Sequence, residues 1–246
     1  MQKNNYEHIV KSKAEGKKLF AVLIDPDKFE STEIISKADA AGVDFIMVGG
    51  SLLSNGGFEN CIQIIKKNTS IPLIIFPGNH FQISENADGI LLLSLISGRN
   101  PDLLIGKHVI VAALLKASGL EILPTGYILI ESGKQTTVSY MSNTNPIPYE
   151  KDDIATCTAM AGEQLGLKLI YMDAGSGALN SVSANMISKV RKNISIPLII
   201  GGGIDSPEKA LLACQSGADI VVVGNAIETN SLLIESIAKT IHSFKK

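Results

Sequence analysis

The sequence contains no tryptophan, only 5% aromatic residues and no excess of basic residues. Its formal net charge is −2, so no positive field favours nucleic acid, and we expect no nucleic-acid partner. Long apolar runs are also absent. The longest have the length of a β-strand, which predicts no stable membrane span. The segment 1–18 is polar and charged, unlike a signal peptide.

Cysteine is scarce as well. Cys61, Cys157 and Cys214 are odd in number, far apart in the chain and without a CxxC spacing. This pattern predicts reduced, buried thiols in a cytoplasmic protein rather than a disulfide or a zinc site. The four histidines show no metal-ligand spacing either.

What the sequence does contain is a repeated alternation of two kinds of segment over 246 residues, of which 45% are hydrophobic. One kind is short, continuously apolar and rich in β-branched residues, as in parallel strands that are buried on both faces. The predicted strands are 19–24, 45–48, 72–76, 89–95, 121–130, 168–172, 197–200 and 219–223.

The other kind is amphipathic or rich in alanine, which predicts helices at 31–41, 59–67, 101–107, 152–165, 180–192 and 231–244. A further helix begins after Ser206, which serves as N-cap with Pro207 at the first helical position. Eight strand–helix units predict a single (β/α)8 TIM barrel over residues 1–246. The alternative is an open doubly wound sheet, but no GxGxxG motif follows the first strand and eight strands exceed its usual number.

Two segments interrupt the regular pattern. Residues 108–115 are apolar and β-branched where a helix is expected, and the sequence leaves both a strand-like and a helical conformation open. Residues 131–149 are polar, contain two prolines and follow the fifth strand. Loops of this length are usually functional or disordered, and we interpret this one as a lid over the catalytic face.

The turns that follow the last strands are rich in glycine. Residues just after each strand of a barrel meet at one mouth, where loops 7 and 8 often bind phosphate. Gly202, Gly203, Gly224 and Asn225 can donate backbone N–H groups there, with Gly177 adding one from the loop before. The alternative is that these glycines only permit tight turns.

Acidic residues flank these turns at the same mouth. Asp173 lies beside the phosphate loops, where it can accept a proton. Asp25 and Ser51 follow the first two strands, and this pair suits Mg²⁺, which keeps several waters and shares ligands with substrate phosphates. A capped turn at Asp25-Pro26-Asp27 remains an equal alternative. The layout predicts a transferase that joins two phosphorylated substrates.

At this point the sequence resembles the geranylgeranylglyceryl phosphate synthase family over nearly its whole length. The shared motifs are Leu23-Ile24-Asp25-Pro26-Asp27-Lys28, Val48-Gly49-Gly50-Ser51, Phe76-Pro77-Gly78-Asn79, Tyr171-Met172-Asp173-Ala174-Gly175-Ser176-Gly177, Gly201-Gly202-Gly203-Ile204 and Val223-Gly224-Asn225. The resemblance implies a (β/α)8 barrel that uses Mg²⁺ to transfer a geranylgeranyl group from geranylgeranyl diphosphate to the 3-hydroxyl of sn-glycerol 1-phosphate, giving an ether-lipid precursor.

The resemblance also implies roles for individual residues. Asp25 and Ser51 would bind Mg²⁺, Asp173 would be the catalytic base, and Tyr171 would hold the glycerol or stabilise an allylic cation. The implied glycerol phosphate site comprises Tyr171, Met172, Asp173, Ala174, Gly175, Ser176, Gly177, Gly202, Gly203, Gly224 and Asn225. Some members have glutamate where this chain has Asp173, so the shorter side chain must reach the hydroxyl by a shifted pose or through a water. The family commonly self-associates, which implies a homo-oligomer.

Two other classes of function fit parts of the pattern. A barrel isomerase or lyase acting on a soluble sugar phosphate would use the same glycine turns. Two features argue against this alternative: the pair Asp25 and Ser51, and the lack of a lysine on a central strand. A non-catalytic barrel that binds a phosphorylated metabolite would not need Asp173 beside the phosphate loops.

Overall fold

Eight parallel strands form a closed barrel in which each strand pairs with its neighbours in chain order. The computed structural model describes residues 4–244. Residues 1–3 and 245–246, which the predicted domain includes, lie outside the described residues. The strands are β1 Leu19–Ile24, β2 Phe45–Val48, β3 Leu73–Ile75, β4 Gly89–Leu95, β5 Glu121–Leu129, β6 Leu169–Asp173, β7 Leu198–Gly201 and β8 Ile220–Val223. The predicted barrel is confirmed, and each strand lies within about one residue of its expected bounds.

Helices surround the barrel. Within residues 4–244 they are α1 Asn5–Ala14, α2 Glu33–Ala40, α3 Phe58–Asn68, α4 Lys107–Ala117, α5 Thr137–Ser142, α6 Asp152–Gln164, α7 Ala184–Asn193, α8 Pro207–Ser216, α9 Asn225–Thr229 and α10 Leu233–His242. The side chain of Ser206 accepts a hydrogen bond from the backbone N–H of Lys209, which confirms the predicted N-cap of α8. No helix among the described residues is long and apolar enough to cross a membrane.

Strand registers divide the apolar side chains into two layers. β1 closes the barrel against β8 with Ala21 opposite Val222. Alternate side chains point into the barrel, where Phe45, Leu169 and Tyr171 are among the buried residues. The other set packs under the helices. Since strands buried on both faces have no polar side, they appear in the sequence as continuous apolar runs.

Helix α1 was not predicted from the sequence. It lies at the amino-terminal end of the barrel, where Ile9 packs among the inward-facing side chains. The carboxylate of Glu121, at the start of β5, accepts hydrogen bonds from the backbone N–H groups of Asn5 at 2.6 Å and Tyr6 at 2.9 Å. A carboxylate at a helix N-terminus satisfies unpaired donors and complements the helix dipole. The helix therefore closes the end of the barrel opposite the glycine turns.

The connection between β3 and β4 contains no helix in the structure, and residues 83–87 form a turn. This gap leaves the outer face of β4 to be covered by the segment after it, a π-helical turn at Asp102–Gly106 that continues into α4. Residues 108–115 are thus helical. Val111 and Leu115 face inward, and His108 Nε2 lies 2.8 Å from the carbonyl oxygen of Leu93.

The segment 131–149 is folded and contains α5. Ile147 forms a parallel bridge with Ile130, and Val138 packs against the inward-facing apolar cluster. Thr136 packs against Gly175, close enough that a β-carbon on that glycine would approach its side chain to 2.8 Å. The segment therefore lies over the mouth of the barrel. A movement of this segment as a lid stays a prediction.

The cysteines are all unpaired, and Cys61 and Cys214 are buried. Burial in apolar surroundings raises the pKa of the Cys61 thiol to about 12 and that of Cys214 to about 11. Cys157 is exposed on α6, so the prediction that all three are buried is wrong there. Ala155 and Ala159 form the buried face of α6, whereas Cys157 lies on the exposed side of the helix with Ile154.

Candidate active site

A cavity of about 680 Å³ opens at the carboxyl ends of the strands. The turns after both early and late strands reach it, as expected for a barrel mouth. It brings together these predicted site residues: Asp25, Ser51, Tyr171, Asp173, Gly175, Ser176, Gly177, Gly202, Gly203, Gly224 and Asn225.

Two residues of the predicted glycerol phosphate site do not line this cavity. The side chains of Met172 and Ala174 are buried in the outer apolar layer, between the barrel and the helices. The backbone N–H of Ala174 already donates to the carbonyl oxygen of Gly201 at 3.1 Å. Because side chains alternate along β6, Tyr171 and Asp173 point inward while their neighbours point outward. Met172 and Ala174 therefore pack behind the wall of the site and do not contact its interior.

The glycine turns have the conformation that an anion site requires. Gly202 has φ +80°, and a β-carbon there would lie 2.6 Å from both the Asp173 carboxylate and the backbone nitrogen of Gly175. Only glycine therefore fits between the two loops. Lys134 Nζ is next to Gly177. Lys209 Nζ donates to the carbonyl oxygen of Gly203 at 3.1 Å and is paired with Asp205 at 2.8 Å. Backbone donors and positive charge favour a phosphate here.

Asp173 is buried in the wall between the turns, with two hydrogen-bond donors. The hydroxyl of Tyr127 donates to Oδ2 at 2.5 Å, and the backbone N–H of Gly175 donates to Oδ1 at 2.7 Å. Burial raises the pKa of this carboxyl above its usual range, although both hydrogen bonds oppose the rise. Each oxygen keeps a further lone pair, so the carboxylate can accept another proton donor from the cavity.

Three aromatic rings meet beside Asp173. Phe76 stacks on Tyr171 with ring centroids 5.1 Å apart, and Tyr127 meets Tyr171 edge-on at 5.6 Å. Burial, followed by the nearby Asp173 charge, raises the pKa of both phenols well above the usual range, so they remain neutral donors. Ring faces in this position can stabilise a cation, while the phenol of Tyr127 fixes the carboxylate.

The opposite side of the mouth carries Asp25. Its Oδ1 accepts from the backbone N–H of Asp27 at 3.1 Å, and its Oδ2 lies 3.5 Å from Lys28 Nζ. The capped turn is therefore real, and it leaves the carboxylate at the cavity surface. A β-carbon on Gly50 would lie 3.2 Å from Oδ1, so the carboxylate also adjoins the turn that carries Ser51.

This donor set suits Mg²⁺ only if water and substrate oxygens complete the coordination. No cluster of three or more His, Cys, Asp or Glu side chains in residues 4–244 could hold a metal by itself. One carboxylate and one hydroxyl match the chemistry of Mg²⁺, which takes its remaining oxygens from water and substrate phosphate. Asp25 and Ser51 are thus able to hold the metal together with a diphosphate.

An apolar arm of the cavity leaves the mouth through the gap after β3. It passes between β4 and α4 and is lined by Ile90, Leu92, Leu103, Val111 and Leu115. A wall of aliphatic side chains suits an extended hydrocarbon chain, since each buried CH₂ contributes about 0.8 kcal/mol. The aromatic rings and Asp25 line the same cavity, so the arm is continuous with the mouth.

Tyr127 and Glu228 line the same cavity, and neither was predicted as a site residue. Tyr127 stands inside an apolar strand, where a tyrosine normally indicates packing. Its position opposite Tyr171 follows only from the pairing of β5 with β6. Glu228 lies about 200 residues from its partners, Asp25 and Lys28. The only sequence signal for Tyr127 was a hydroxyl within an otherwise apolar strand. The only signal for Glu228 was a carboxylate near the end of the chain.

Residues 9–244 match the model of the PcrB family. The chain belongs to the PcrB family. It is 52% identical over 246 residues to a geranylgeranylglyceryl phosphate synthase of Chitinophaga pinensis, with 99% of this chain and 98% of that protein covered. It is 43% identical to a protein of the same name from Pyrococcus horikoshii, with 94% and 91% covered. The predicted resemblance, and with it a prenyltransferase of the PcrB family, is confirmed.

Solved structures of PcrB relatives have the same barrel. The synthase of Thermoplasma acidophilum, in complex with sn-glycerol-1-phosphate, superposes with a TM-score of 0.91 at 32% identity, covering 97% of this chain and 98% of that one. A tryptophan synthase from Mycobacterium tuberculosis superposes with a TM-score of 0.61 at 13% identity, which shows a shared fold alone. The relatives that share both sequence and fold are therefore prenyltransferases.

Proposed function

We propose that this PcrB protein is a Mg²⁺-dependent enzyme that transfers a geranylgeranyl group from geranylgeranyl diphosphate to the 3-hydroxyl of sn-glycerol 1-phosphate. The observation that carries this proposal is the single cavity. It joins glycine turns suited to a phosphate, a carboxylate turn suited to a metal–diphosphate, a buried acid between them and an apolar arm. The complex of the Thermoplasma acidophilum relative supports the choice of acceptor. The cytoplasmic location stays a prediction.

The glycerol phosphate is held by backbone donors. Gly202, Gly203, Gly224 and Asn225 surround the phosphate, and the cations of Lys134 and Lys209 lie behind the turns. Each charge-assisted hydrogen bond contributes roughly 1.5–3 kcal/mol, so a few of them anchor a small phosphate ester. With the phosphate fixed, the glycerol carbons extend toward Asp173.

Asp173 accepts the proton of the 3-hydroxyl. Because burial raises the pKa of its carboxyl, the carboxylate is a stronger base than an exposed aspartate, and its pKa lies nearer the working pH. Tyr127 and Gly175 hold the two oxygens in place, which limits the positions from which the hydroxyl can approach. Aspartate is one methylene shorter than glutamate, so the acceptor must lie closer to β6 here.

The donor binds with its diphosphate at the Asp25 side. Asp25 and Ser51 would hold Mg²⁺, which when bound would supply positive charge to the leaving diphosphate. The ammonium of Lys28 lies 3.5 Å from the Asp25 carboxylate and adds positive charge at the same edge. The glycerol oxygen forms a bond to C1 of the allyl group while the bond from C1 to the diphosphate oxygen breaks. The electron pair leaves with the diphosphate, and the hydroxyl proton passes to Asp173.

The allylic carbon carries positive charge as the old bond breaks. Tyr171, stacked on Phe76, lines the cavity beside Asp173, and its ring stabilises that charge. The prenyl tail follows the arm beneath α4, past Leu92 and Val111. The length of this arm sets the preferred donor, and we expect twenty carbons.

Self-association involves the outer face of α4. Val109, Ile110 and Leu114 are each more than half exposed there, and Ile105 extends the patch by one turn. A contiguous apolar patch of this kind on a soluble fold marks an interaction surface. We place the contact between subunits of a homo-oligomer on this face.

A direct assay tests the proposed function. Purified protein is incubated with sn-glycerol 1-phosphate, Mg²⁺ and prenyl diphosphates of 10, 15 and 20 carbons, and the lipid extract is analysed by mass spectrometry. We expect geranylgeranylglyceryl phosphate and an equal amount of diphosphate, with loss of both in EDTA. Release of diphosphate without an ether product would refute the proposal. A matched reaction with sn-glycerol 3-phosphate controls for the acceptor.

A further inference from the structure

Glu228 connects two neighbouring turns of the cavity, those after β8 and β1. It lies in α9, the short helix that begins directly after the proposed phosphate turn at Gly224. Its Oε1 accepts the backbone N–H of Asp25 at 3.1 Å, and its Oε2 accepts Lys28 Nζ at 3.0 Å. The side chain is only 13% exposed. One carboxylate thus fixes both the peptide and the cation of the Asp25 turn, which neighbours the Gly224 turn because β1 pairs with β8.

The phosphate turn and Glu228 belong to one rigid unit. The carbonyl oxygen of Gly224 accepts the backbone N–H of Ile227 at 2.8 Å and that of Glu228 at 3.1 Å. A β-carbon on Gly224 would lie 3.3 Å from Leu23 at the end of β1, so this turn also packs against the strand that leads to Asp25. A shift at one end of the unit therefore moves the other.

The helix depends on its contacts for stability. With five residues, α9 is far shorter than a helix that persists alone in water. The Glu228 contacts at its end therefore hold α9, and with it the Gly224 turn, in a fixed position against the Asp25 turn.

The charges identify Glu228 as a support and not as a metal ligand. Both of its oxygens have donors, and Lys28 lies between it and the carboxylate of Asp25. A free carboxylate at this edge would repel a diphosphate, whereas a carboxylate paired with Lys28 holds that ammonium toward the cavity. Its role is therefore to set the position of groups that contact the donor.

We propose that Glu228 is a positioning residue that couples glycerol phosphate binding at the glycine turns, through Gly224, to binding of the metal–diphosphate at Asp25 and Lys28. This inference rests on the proposed function of the same cavity. The coupling is reciprocal, so each substrate tightens the binding of the other by the same factor.

The test measures that coupling without turnover. Mg²⁺ with inorganic pyrophosphate is titrated into the full chain by calorimetry, with and without saturating sn-glycerol 1-phosphate. We expect the acceptor to tighten pyrophosphate binding roughly fivefold or more, the lower end of ordinary coupling between sites. In Glu228→Gln, which weakens the Lys28 contact, and in Glu228→Ala, which removes both contacts, the factor should fall toward one.

Glu121→Gln is the matched control. Glu121 also accepts two backbone N–H groups far along the chain, but at the closed end of the barrel. Its variant should lose comparable thermal stability and keep the coupling. The Glu228 variants should also raise the KM for the prenyl diphosphate at saturating acceptor more than they lower kcat.

Two results would overturn the inference. One is an active wild-type enzyme whose pyrophosphate affinity does not change with sn-glycerol 1-phosphate. The other is full coupling in Glu228→Ala. If Glu228 were a metal ligand, its variants would lose pyrophosphate affinity equally with and without the acceptor. An inactive wild-type protein that fails to bind the acceptor would instead refute the proposed function.

Discussion

The hydrogen bond between Tyr127 and Asp173 offers the sharpest prediction. It joins a phenol to a buried carboxylate at 2.5 Å, and Tyr127→Phe removes it without removing the ring. A hydrogen bond to a charged group contributes roughly 1.5–3 kcal/mol. That bond lowers the pKa of Asp173 against the opposing effect of burial. Its loss raises this pKa further, so protonated, inactive Asp173 persists to higher pH.

The expected result is a change in the pH profile. A loss of 1.5–3 kcal/mol corresponds to roughly tenfold to 150-fold in rate on the acid limb, with near wild-type rates where Asp173 is again ionised. Single-turnover rates with both substrates saturating, measured from pH 5 to 9, report this step without product release. The acid limb should move to higher pH.

Tyr171→Phe is the comparison variant. Tyr171 is also buried but is not hydrogen-bonded to Asp173 in the part of the chain that the structure describes. Its variant should leave the acid limb in place. A Tyr127→Phe enzyme that loses the same factor at every pH would refute the reasoning, because the phenol would then act on the acceptor and not on the base.

Four other variants test separate parts of the cavity. Asp173→Asn should lose most of kcat yet match or exceed wild-type thermal stability near neutral pH. The pKa of Asp173 is raised in the folded protein, so wild-type stability is lost as the pH rises through that pKa. A less stable variant in a melting scan would contradict this. Asp25→Asn should nearly abolish Mg²⁺-dependent turnover and leave acceptor binding by calorimetry almost unchanged. Val111→Phe should shorten the apolar arm and favour fifteen-carbon over twenty-carbon donors. The change in relative binding free energy is up to about 4 kcal/mol for five carbons. Unchanged kinetics in a competition between the two donors would refute the assigned path. Val109→Lys should weaken self-association in light scattering, whereas Leu212→Lys on α8 should not.

The barrel was predictable because its strand–helix units repeat along the sequence. Parallel strands buried on both faces require unbroken apolar runs, and the glycine turns mark where each strand ends. Residues 108–115 could not be assigned, because a short apolar, β-branched run fits a buried strand and a buried helix equally well. The absent helix after β3 explains why one apolar face of α4 covers the apolar arm, while Val109, Ile110 and Leu114 form a second apolar face toward the exterior.

The site was predictable to the extent that its residues stand at strand ends. Asp25, Asp173 and Gly202 all follow that rule and share the cavity. Tyr127 and Glu228 do not follow it, since one stands inside a strand and the other reaches its partners where β8 closes the barrel against β1. Their roles arise from strand pairing and helix placement, which no local pattern records.

The Gly202 turn illustrates the same limit. The sequence suggests that a larger side chain there would push into the phosphate. In the structure a β-carbon would first collide with Asp173 and the backbone of Gly175 and Ala174. A substitution at Gly202 therefore displaces the base as well as the anchor, and does not separate the two roles.

The central claim is that the phosphate turns present the 3-hydroxyl of the acceptor to Asp173. A crystal structure of this protein with sn-glycerol 1-phosphate and inorganic pyrophosphate measures it most directly. We expect the ester phosphate at Gly202, Gly203, Gly224 and Asn225, and the 3-hydroxyl within hydrogen-bonding distance of an Asp173 oxygen. An ester phosphate bound at the Asp25 turn, or a 3-hydroxyl directed away from Asp173, would contradict the claim.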